Sequence, residues 1–583
     1  MSAARQLERF ENLVSLFFTR AEEKGDAPFL WAKREGEWQS ISWAEAARQV
    51  ASLAASLKSI GLQPGDRVCL VSENRPEWLI SDLAIMAARC VTVPTYTTNT
   101  TRDHAHILGN SGARAVIVSN QKLAKNLVPA VLTSSECHHV IAMEPLRSVQ
   151  APDWVSCHSW QKLASADSDI ETLKRELQGV GRNDLACIIY TSGTGGAPRG
   201  VQQHHGALLH NVEGCTDIIS SDFGWDDEVF LSFLPASHAY EHTGGQMFPI
   251  ALGAQIYYAE SLEKLASNIE EVQPTIMVVV PRLFEMLRTR IMKSVESQGG
   301  LSKYLMSWAL KIGGDRAAGK LKPWHLPMDG LLSLTLRKKV RAKIGKRQKA
   351  WVSGGAPLNP EVGLFFESLG ITFLQGYGQT ETGPVLACNR PSAGIRLDTV
   401  GPPVKNTEVR IADDGEIMVR GELVMHGYWR NQEETARVLK DGWLATGDVG
   451  HFDEKGRIKI TDRKKDILVN DKGDNVSPQR VEGMLTLQPE IAQAMVYGDR
   501  RPHLVALLVP DPEIASAPDL HQRLEAAVDR VNRDLSVIER VRRFVLADEP
   551  FTIENEQLTP SMKIRRHIIA KAYAERLDSL YRK

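Results

Sequence analysis

Cysteine is scarce in this chain: seven residues among 583, scattered, odd in number and without a CxxC pair. Such usage argues against a disulfide framework and suits a reducing compartment. Cys137, His138 and His139 adjoin, but with no second ligand pair nearby they read as an ordinary loop rather than a zinc site. An excess of either charge is missing too. The 70 Lys and Arg face 71 Asp and Glu, so bulk electrostatics points to no nucleic-acid partner. Nothing approaches the ~20 apolar residues of a membrane-spanning helix. The most apolar stretch, Ile276 to Val280, is closed off by Pro274 and Pro281 and predicts a buried strand. Glu8, Glu11, Glu22 and Glu23 interrupt the N-terminal apolar residues, unlike a secretory signal. The ending Leu580, Tyr581, Arg582, Lys583 matches neither an ER-retention nor a peroxisomal address. A soluble cytoplasmic protein is expected.

The chain is far longer than the ~100–200 residues of one ordinary domain, so at least two folding units are expected. Short strand-like runs alternate with helical segments: Arg67 to Val71, Ala115 to Ser119, Val140 to Met143, Gln255 to Ala259 and Thr275 to Val280. That order predicts an α/β fold. Alternating residues in Glu408 to Ile411 and Glu416 to Arg420, around the turn Asp413, Asp414, Gly415, predict a β-hairpin closing a large domain. The charged run Asp462 to Asp466 marks a boundary, giving domains 1–462 and 463–583.

The most informative stretch is Tyr190 to Val201, YTSGTGGAPRGV. A strand-like run, Ala186 to Tyr190, enters a loop whose small residues let backbone N–H groups approach an anion. Thr191, Ser192 and Thr194 offer hydroxyls, Gly193, Gly195 and Gly196 offer clearance, and Arg199 offers a planar fork of donors suited to phosphate oxygens. The loop has neither the GK[ST] ending of a Walker A motif nor GxGxxG spacing, and on composition alone a surface turn is an equal alternative.

The loop resembles the phosphate loop of the adenylate-forming superfamily, which includes acyl-CoA synthetases, firefly-type luciferases and peptide-synthetase adenylation domains. Further matches follow in family order: LPASHAYE from Leu234, SGGAPL from Ser353, GYGQTETGP from Gly376, DGWLATGDVG from Asp441, TDRKKDILVNDKGDNVSP from Thr461 and LTPSMKIRR from Leu558. The resemblance covers nearly the whole chain. It implies a large N-terminal adenylate-forming domain of mixed sheets and helices and a small mobile α+β C-terminal domain, meeting over the active site.

Roles follow from that resemblance. Glu381, after Thr380, is implied as the ligand of a Mg²⁺ ion that accompanies ATP. Tyr377, flanked by Gln375, Gly376 and Gly378, offers a ring face to adenine, and Ser353, Gly354, Gly355 and Ala356 form the opposite wall. Asp448 can accept two ribose hydroxyls, and Arg463 reaches the same sugar. His238 belongs near the acyl or adenylate pocket, Lys465 at the hinge. Lys563 is implied between the substrate carboxylate and the α-phosphate, where a cation stabilises two approaching anions. Two positions depart from the family: Gly195 stands where Thr is usual and Arg199 where Lys is usual. The loop Asp471 to Asn475 is also more acidic than the approach of coenzyme A suggests.

The fatty acyl-CoA synthetase signature resembles DGWLATGDVG running into DRKKDILV, and the long-chain branch resembles PTIMVVVPRLFE from Pro274 and its helical insertion at Ile291 to Ala350. Within that insertion Arg337 to Lys349 is strongly basic, with Leu336, Val340 and Ile344 recurring every fourth residue. Such a helix either rests on an anionic membrane as a peripheral contact at the inner face or packs its apolar stripe on the protein. The implied activity is ATP-dependent conversion of a long-chain fatty acid to acyl-AMP and then acyl-CoA, with ATP, Mg²⁺ and coenzyme A taking part. An acyl-AMP ligase loading a carrier protein and a nucleotide-binding regulatory pseudoenzyme are the alternatives.

Overall fold

Two eight-stranded sheets dominate the large domain of the computed structural model, which describes residues 6–147, 152–191, 197–464, 467–472, 474–559 and 564–582. In one sheet the parallel strands Leu185–Thr191, Val91–Pro94, Arg67–Val71, Ala113–Val118, His139–Ala142 and Ser156–Ser159 lie side by side in that order. Arg199–His204 folds back antiparallel on Leu185–Thr191, and the short strand Gly427–Tyr428 closes that edge. In the other sheet Phe373–Gly378, Ala350–Ser353, Ile276–Val279, Val229–Ser232, Gln255–Tyr258 and Pro28–Arg34 are parallel. Antiparallel Val385–Cys388 and Glu37–Ser42 flank them. Helices cover both faces, which is why runs such as Ile276–Val279 are apolar without alternation. The strand-like runs read from sequence fall on strands within one or two residues.

Four helices fill the interval between Ile276–Val279 and Ala350–Ser353: Pro281–Gln298, Gly300–Ala317, Leu326–Leu334 and Leu336–Ile344. Their inward residues, among them Met306, Ala309, Ile312, Leu332 and Val340, join the apolar layer of Met277, Val279, Trp351 and Phe373. Gly313 permits a close crossing with helix Pro360–Ser368; a Cβ there would lie 1.8 Å from Ser368 Oγ. The basic helix ends at Ile344, with Gly345 at φ 142°. Val340 and Ile344 are buried in the layer with Leu336 packed against it, so the stripe faces the protein. Arg337 is buried as well, donating to Asp329 Oδ1 at 2.7 Å and to the Ser368 carbonyl at 2.9 Å.

The hairpin Glu408–Ile411 and Glu416–Arg420 forms with the expected bounds and continues into Trp443–Phe452, which pairs with Ile458–Arg463. Beyond it a small α+β domain is built on Ile491–Tyr497, Leu504–Pro510 and Val541–Leu546. Helix Leu520–Asp534 buries Leu524, Ala527, Val528 and Val531, one stripe at helical spacing, as the crossover between the two parallel strands.

Candidate active site

The phosphate-loop candidates Ser192, Gly193, Thr194, Gly195 and Gly196, the hinge candidate Lys465 and the catalytic candidate Lys563 lie outside the described residues. Of the remaining candidates, Gly354 to Ala356, Gln375 to Tyr377 and Thr191 lie at the carboxyl ends of parallel strands, where open α/β sheets hold their ligands, while Asp448 and Arg463 come from an antiparallel pair in another sheet. Strand Ala350–Ser353 delivers Gly354, Gly355 and Ala356; its neighbour Phe373–Gly378 delivers Gln375, Gly376 and Tyr377. The backbone is packed too tightly for side chains. A Cβ on Gly378 would sit 1.8 Å from the Pro384 carbonyl oxygen, and one on Gly354 would sit 2.8 Å from the Tyr240 ring. Gly355 has φ +79°, which a glycine adopts without strain.

Tyr377 does present a half-buried ring, but its hydroxyl is committed: it donates to Asp448 Oδ2 at 2.6 Å. Burial, then the charge of Asp448, push the phenol well above its ordinary range. Arg463 Nε donates to the other oxygen, Oδ1, at 2.9 Å. Asp448 and Arg463 face one another on paired strands, and Asp448 is buried. Each carboxylate oxygen keeps a second acceptor position, so a ribose could join these bonds or displace them.

Thr380, Glu381 and Thr382 form a short 3-10 turn. The Thr380 carbonyl accepts from Gln203 Nε2, the Glu381 carbonyl from the Met425 amide at 3.0 Å, and the Thr382 carbonyl from Asn211 Nδ2 at 2.9 Å. Three elements therefore hold the turn. The half-buried Glu381 carboxylate receives the Tyr428 hydroxyl at Oε1, 2.8 Å away. No cluster of three or more His, Cys, Asp or Glu that could cage a metal occurs among the described residues. A lone, oriented carboxylate suits Mg²⁺ that arrives on phosphates, since that ion is seldom held by protein ligands alone.

Thr191 ends its strand paired with Arg199. Arg199 does not extend freely toward the loop: its guanidinium pairs with Glu434 and lies 4.6 Å over the Tyr428 ring. His238 caps the turn Ala239–Glu241, its Nδ1 accepting from the Tyr240 amide at 3.2 Å, and its ring stands 6.5 Å from Tyr96. The nearby carboxyl of Glu241 is fully enclosed. Burial pushes it up to about 8 despite hydrogen bonds from Ser232 and Gln246. Burial likewise pushes the thiols of Cys90 and Cys137 up to about 12, away from the nucleophilic thiolate form.

Tyr428, Glu434, Gln203, Asn211 and Tyr240 are site-shaping residues that sequence reasoning missed. The segment HGYWRNQEET from His426 offered aromatic and acidic residues, but only folding sets them against Glu381 and Arg199.

Comparison with known proteins places the chain in a family. The AMP-binding enzyme family matches residues 17–429, and the AMP-binding enzyme C-terminal domain matches residues 465–583. The long-chain-fatty-acid–CoA ligase FadD15 of Mycobacterium tuberculosis is 32% identical, with 98% of this chain and 97% of that protein covered. The long-chain-fatty-acid–[acyl-carrier-protein] ligase AEE15 of Arabidopsis thaliana is 28% identical over 99% of this chain and 88% of its own. Among solved structures, the adenylation domain of a carboxylate reductase from Mycobacterium chelonae shares the fold, with a TM-score of 0.77 at 22% identity, covering 99% of this chain and 92% of that one. The fold and site define a nucleotide-binding, two-domain α/β architecture. The chain belongs to the AMP-binding enzymes of the adenylate-forming superfamily.

Proposed function

We propose that this protein is an AMP-forming long-chain fatty acid–CoA ligase. The observation that carries the reading is the continuous bond chain Tyr377–Asp448–Arg463 beside the Glu381 turn, in a chain aligned end to end with a long-chain ligase. In the first half-reaction a fatty carboxylate oxygen attacks the α-phosphorus of ATP; the bond to the bridging oxygen breaks and pyrophosphate leaves. In the second, the coenzyme A thiolate attacks the acyl carbonyl and AMP leaves. The chain's part is binding, orientation and charge stabilisation. The wall Gly354 to Ala356 and the Tyr377 ring hold adenine between them, Asp448 and Arg463 hold the ribose, and Thr191 with the loop to Gly196 holds phosphate. Lys563 lies between the reacting anions, and Lys465 is the pivot between domains 1–462 and 463–583. Glu381 would hold Mg²⁺, which supplies neutralising charge to the triphosphate.

The buried state of Glu241 supports an apolar acid as substrate, because the one carboxyl of the Phe233 to Glu241 segment is sealed against Ser232 and Gln246 and offers nothing to a substrate amine. The reading places the protein in the cytoplasm, with peripheral contact at the inner membrane face. Its test is pyrophosphate release and thioester formation across C4, C8, C12 and C16 acids, benzoate and amino acids. Each methylene buried in an apolar tunnel contributes about 0.8 kcal/mol, so the long acids should lead the panel. Benzoate or an amino acid in the lead would overturn the fatty-acid reading. The likeness to AEE15 favours a second acceptor, an acyl-carrier protein, over a role in regulation alone. Substituting a holo-carrier protein for coenzyme A in the same assay separates the two acceptors.

A further inference from the structure

Asn74 ties the two eight-stranded sheets together. It stands just past the strand Arg67–Val71 of one sheet, and its partners begin at Ser232, the last residue of the strand Val229–Ser232 in the other. Its Nδ2 donates to Ser232 Oγ at 2.9 Å and to the Leu234 carbonyl at 2.6 Å, while its Oδ1 accepts from the Ala236 amide at 2.9 Å. A backbone N–H only donates and a carbonyl only accepts, so these partners fix which way the side-chain amide faces. Both of its N–H donors are used.

Each end of this tie is itself held. On one side of Asn74, the Glu73 carboxylate accepts from Ser119 Oγ at 2.5 Å and from Asn120 Nδ2 at 2.9 Å, both just beyond the neighbouring strand Ala113–Val118. On the other, Arg75 donates to Glu77 at 2.9 Å and to Glu144 at 2.7 Å. Residue 74 is therefore pinned before and after. Across the gap, the buried Ser232 hydroxyl donates to Glu241 Oε1 at 2.6 Å and accepts from Gln246 Nε2 at 3.0 Å as well as from Asn74, which fills its one donor and two acceptor positions. Gln246 Oε1 accepts in turn from the Tyr258 hydroxyl at 2.9 Å.

The segment in this grip leads straight into His238, whose amide donates to the Pro235 carbonyl at 2.9 Å. Tyr240, two residues on, has an anchor of its own: its hydroxyl donates to the Val352 carbonyl at 2.7 Å, beside the Gly354 backbone that its ring abuts. The His238 turn thus depends on Asn74, whereas the adenine wall does not.

We infer that Asn74 is a positioning residue for the acid substrate, holding the turn Leu234 to His238 in place against the nucleotide site. The inference rests on the reading that puts His238 beside the acyl pocket.

Steady-state pyrophosphate release by the full chain tests it, with a C16 acid varied at saturating ATP, alongside equilibrium binding of ATP without acid. Asn74→Asp is the decisive variant. It matches Asn in size and still accepts from the Ala236 amide, but it sets a carboxylate oxygen against the Leu234 carbonyl where a donor stood. In this variant and in Asn74→Ala, kcat/KM for the acid should fall roughly tenfold to a hundredfold, the cost of misplacing a reacting group by up to about 1 Å, with ATP affinity within about twofold of wild type. A space-filling role would leave Asn74→Asp at wild-type kinetics, and a scaffolding role would lower acid use and ATP affinity together; either result would overturn the inference. His238→Ala separates the inference from the reading beneath it. If that variant loses acid use while both Asn74 variants keep it, the inference alone fails; if all three keep it, the reading fails too.

Discussion

Tyr428 shows how a residue without a motif role of its own can set the state of one that has it. Its hydroxyl orients the Glu381 carboxylate, while its ring carries the Arg199 guanidinium, which in turn is held by Glu434. Removing a hydrogen bond to a charged group costs about 1.5–3 kcal/mol, and the half-buried setting of Glu381 places this one at the lower end. Tyr428→Phe should therefore lower kcat/KM for ATP in pyrophosphate exchange roughly tenfold, yet leave conversion of supplied acyl adenylate and coenzyme A intact. Equal losses in both assays would assign Tyr428 to general scaffolding. The candidates that a motif keeps together in the sequence, Thr380 with Glu381 and Gln375 to Gly378, stay together in the structure on one turn and one strand. What holds the turn was not legible in the sequence: Gln203, Asn211 and Tyr428 reach it from distant points in the chain. The Arg199 fork was read as a phosphate donor, but its pairing with Glu434, 235 positions away, is a product of the strand pair Gly427–Tyr428 and Arg199–His204.

At the scale of elements, parallel strands were plain in sequence because burial on both faces leaves unbroken apolar runs. The turn from Ala239 to Leu252 was not. It contains a π-helix, His242–Met247, whose widened turn wraps the Glu241 carboxyl; a Cβ on Gly245 would approach Glu241 Oε1 to 2.1 Å. No hydrophobic period announces such a turn. Its consequence is measurable, since burial raises Glu241 from 4.5 to about 8. The folded chain then holds a proton that the unfolded chain releases above about 4.5, so stability declines as pH rises from about 4.5 to about 8. Glu241→Gln removes the titration. Thermal unfolding should show the variant gaining on the wild type across that window by on the order of 2–4 kcal/mol. An offset independent of pH would mean that this acid is ionised in the folded chain throughout.

The whole molecule is built from a large N-terminal and a small C-terminal domain. The tail that follows Lys563 is anchored firmly in the small one: Leu558 pairs with Ile564, and Arg566 donates to both oxygens of Glu482 at 2.5 and 2.9 Å. Lys563→Ala should thus leave the fold intact. Adenylate formation should fall by roughly two orders of magnitude or more, the scale of losing one preorganised charge at a developing anion. Thioester formation from supplied acyl adenylate should stay within a few-fold of wild type, measured in separate single-turnover assays; parallel loss of both steps would remove Lys563 from the first. A large and a small domain were legible from the length of the chain and the order of its motifs, whereas the placement of the helical insertion against Trp351 and Phe373 depended on long-range packing.

That insertion also makes the chain an electrical dipole. Its net charge of -1 hides a strongly basic end balanced by an acidic remainder. In the field of a negative surface such a body feels little net pull but a turning moment, and it rotates its basic end forward within about one Debye length, ~10 Å at 0.1 M salt. Raising the ionic strength would erase the orientation before it altered anything in the fold.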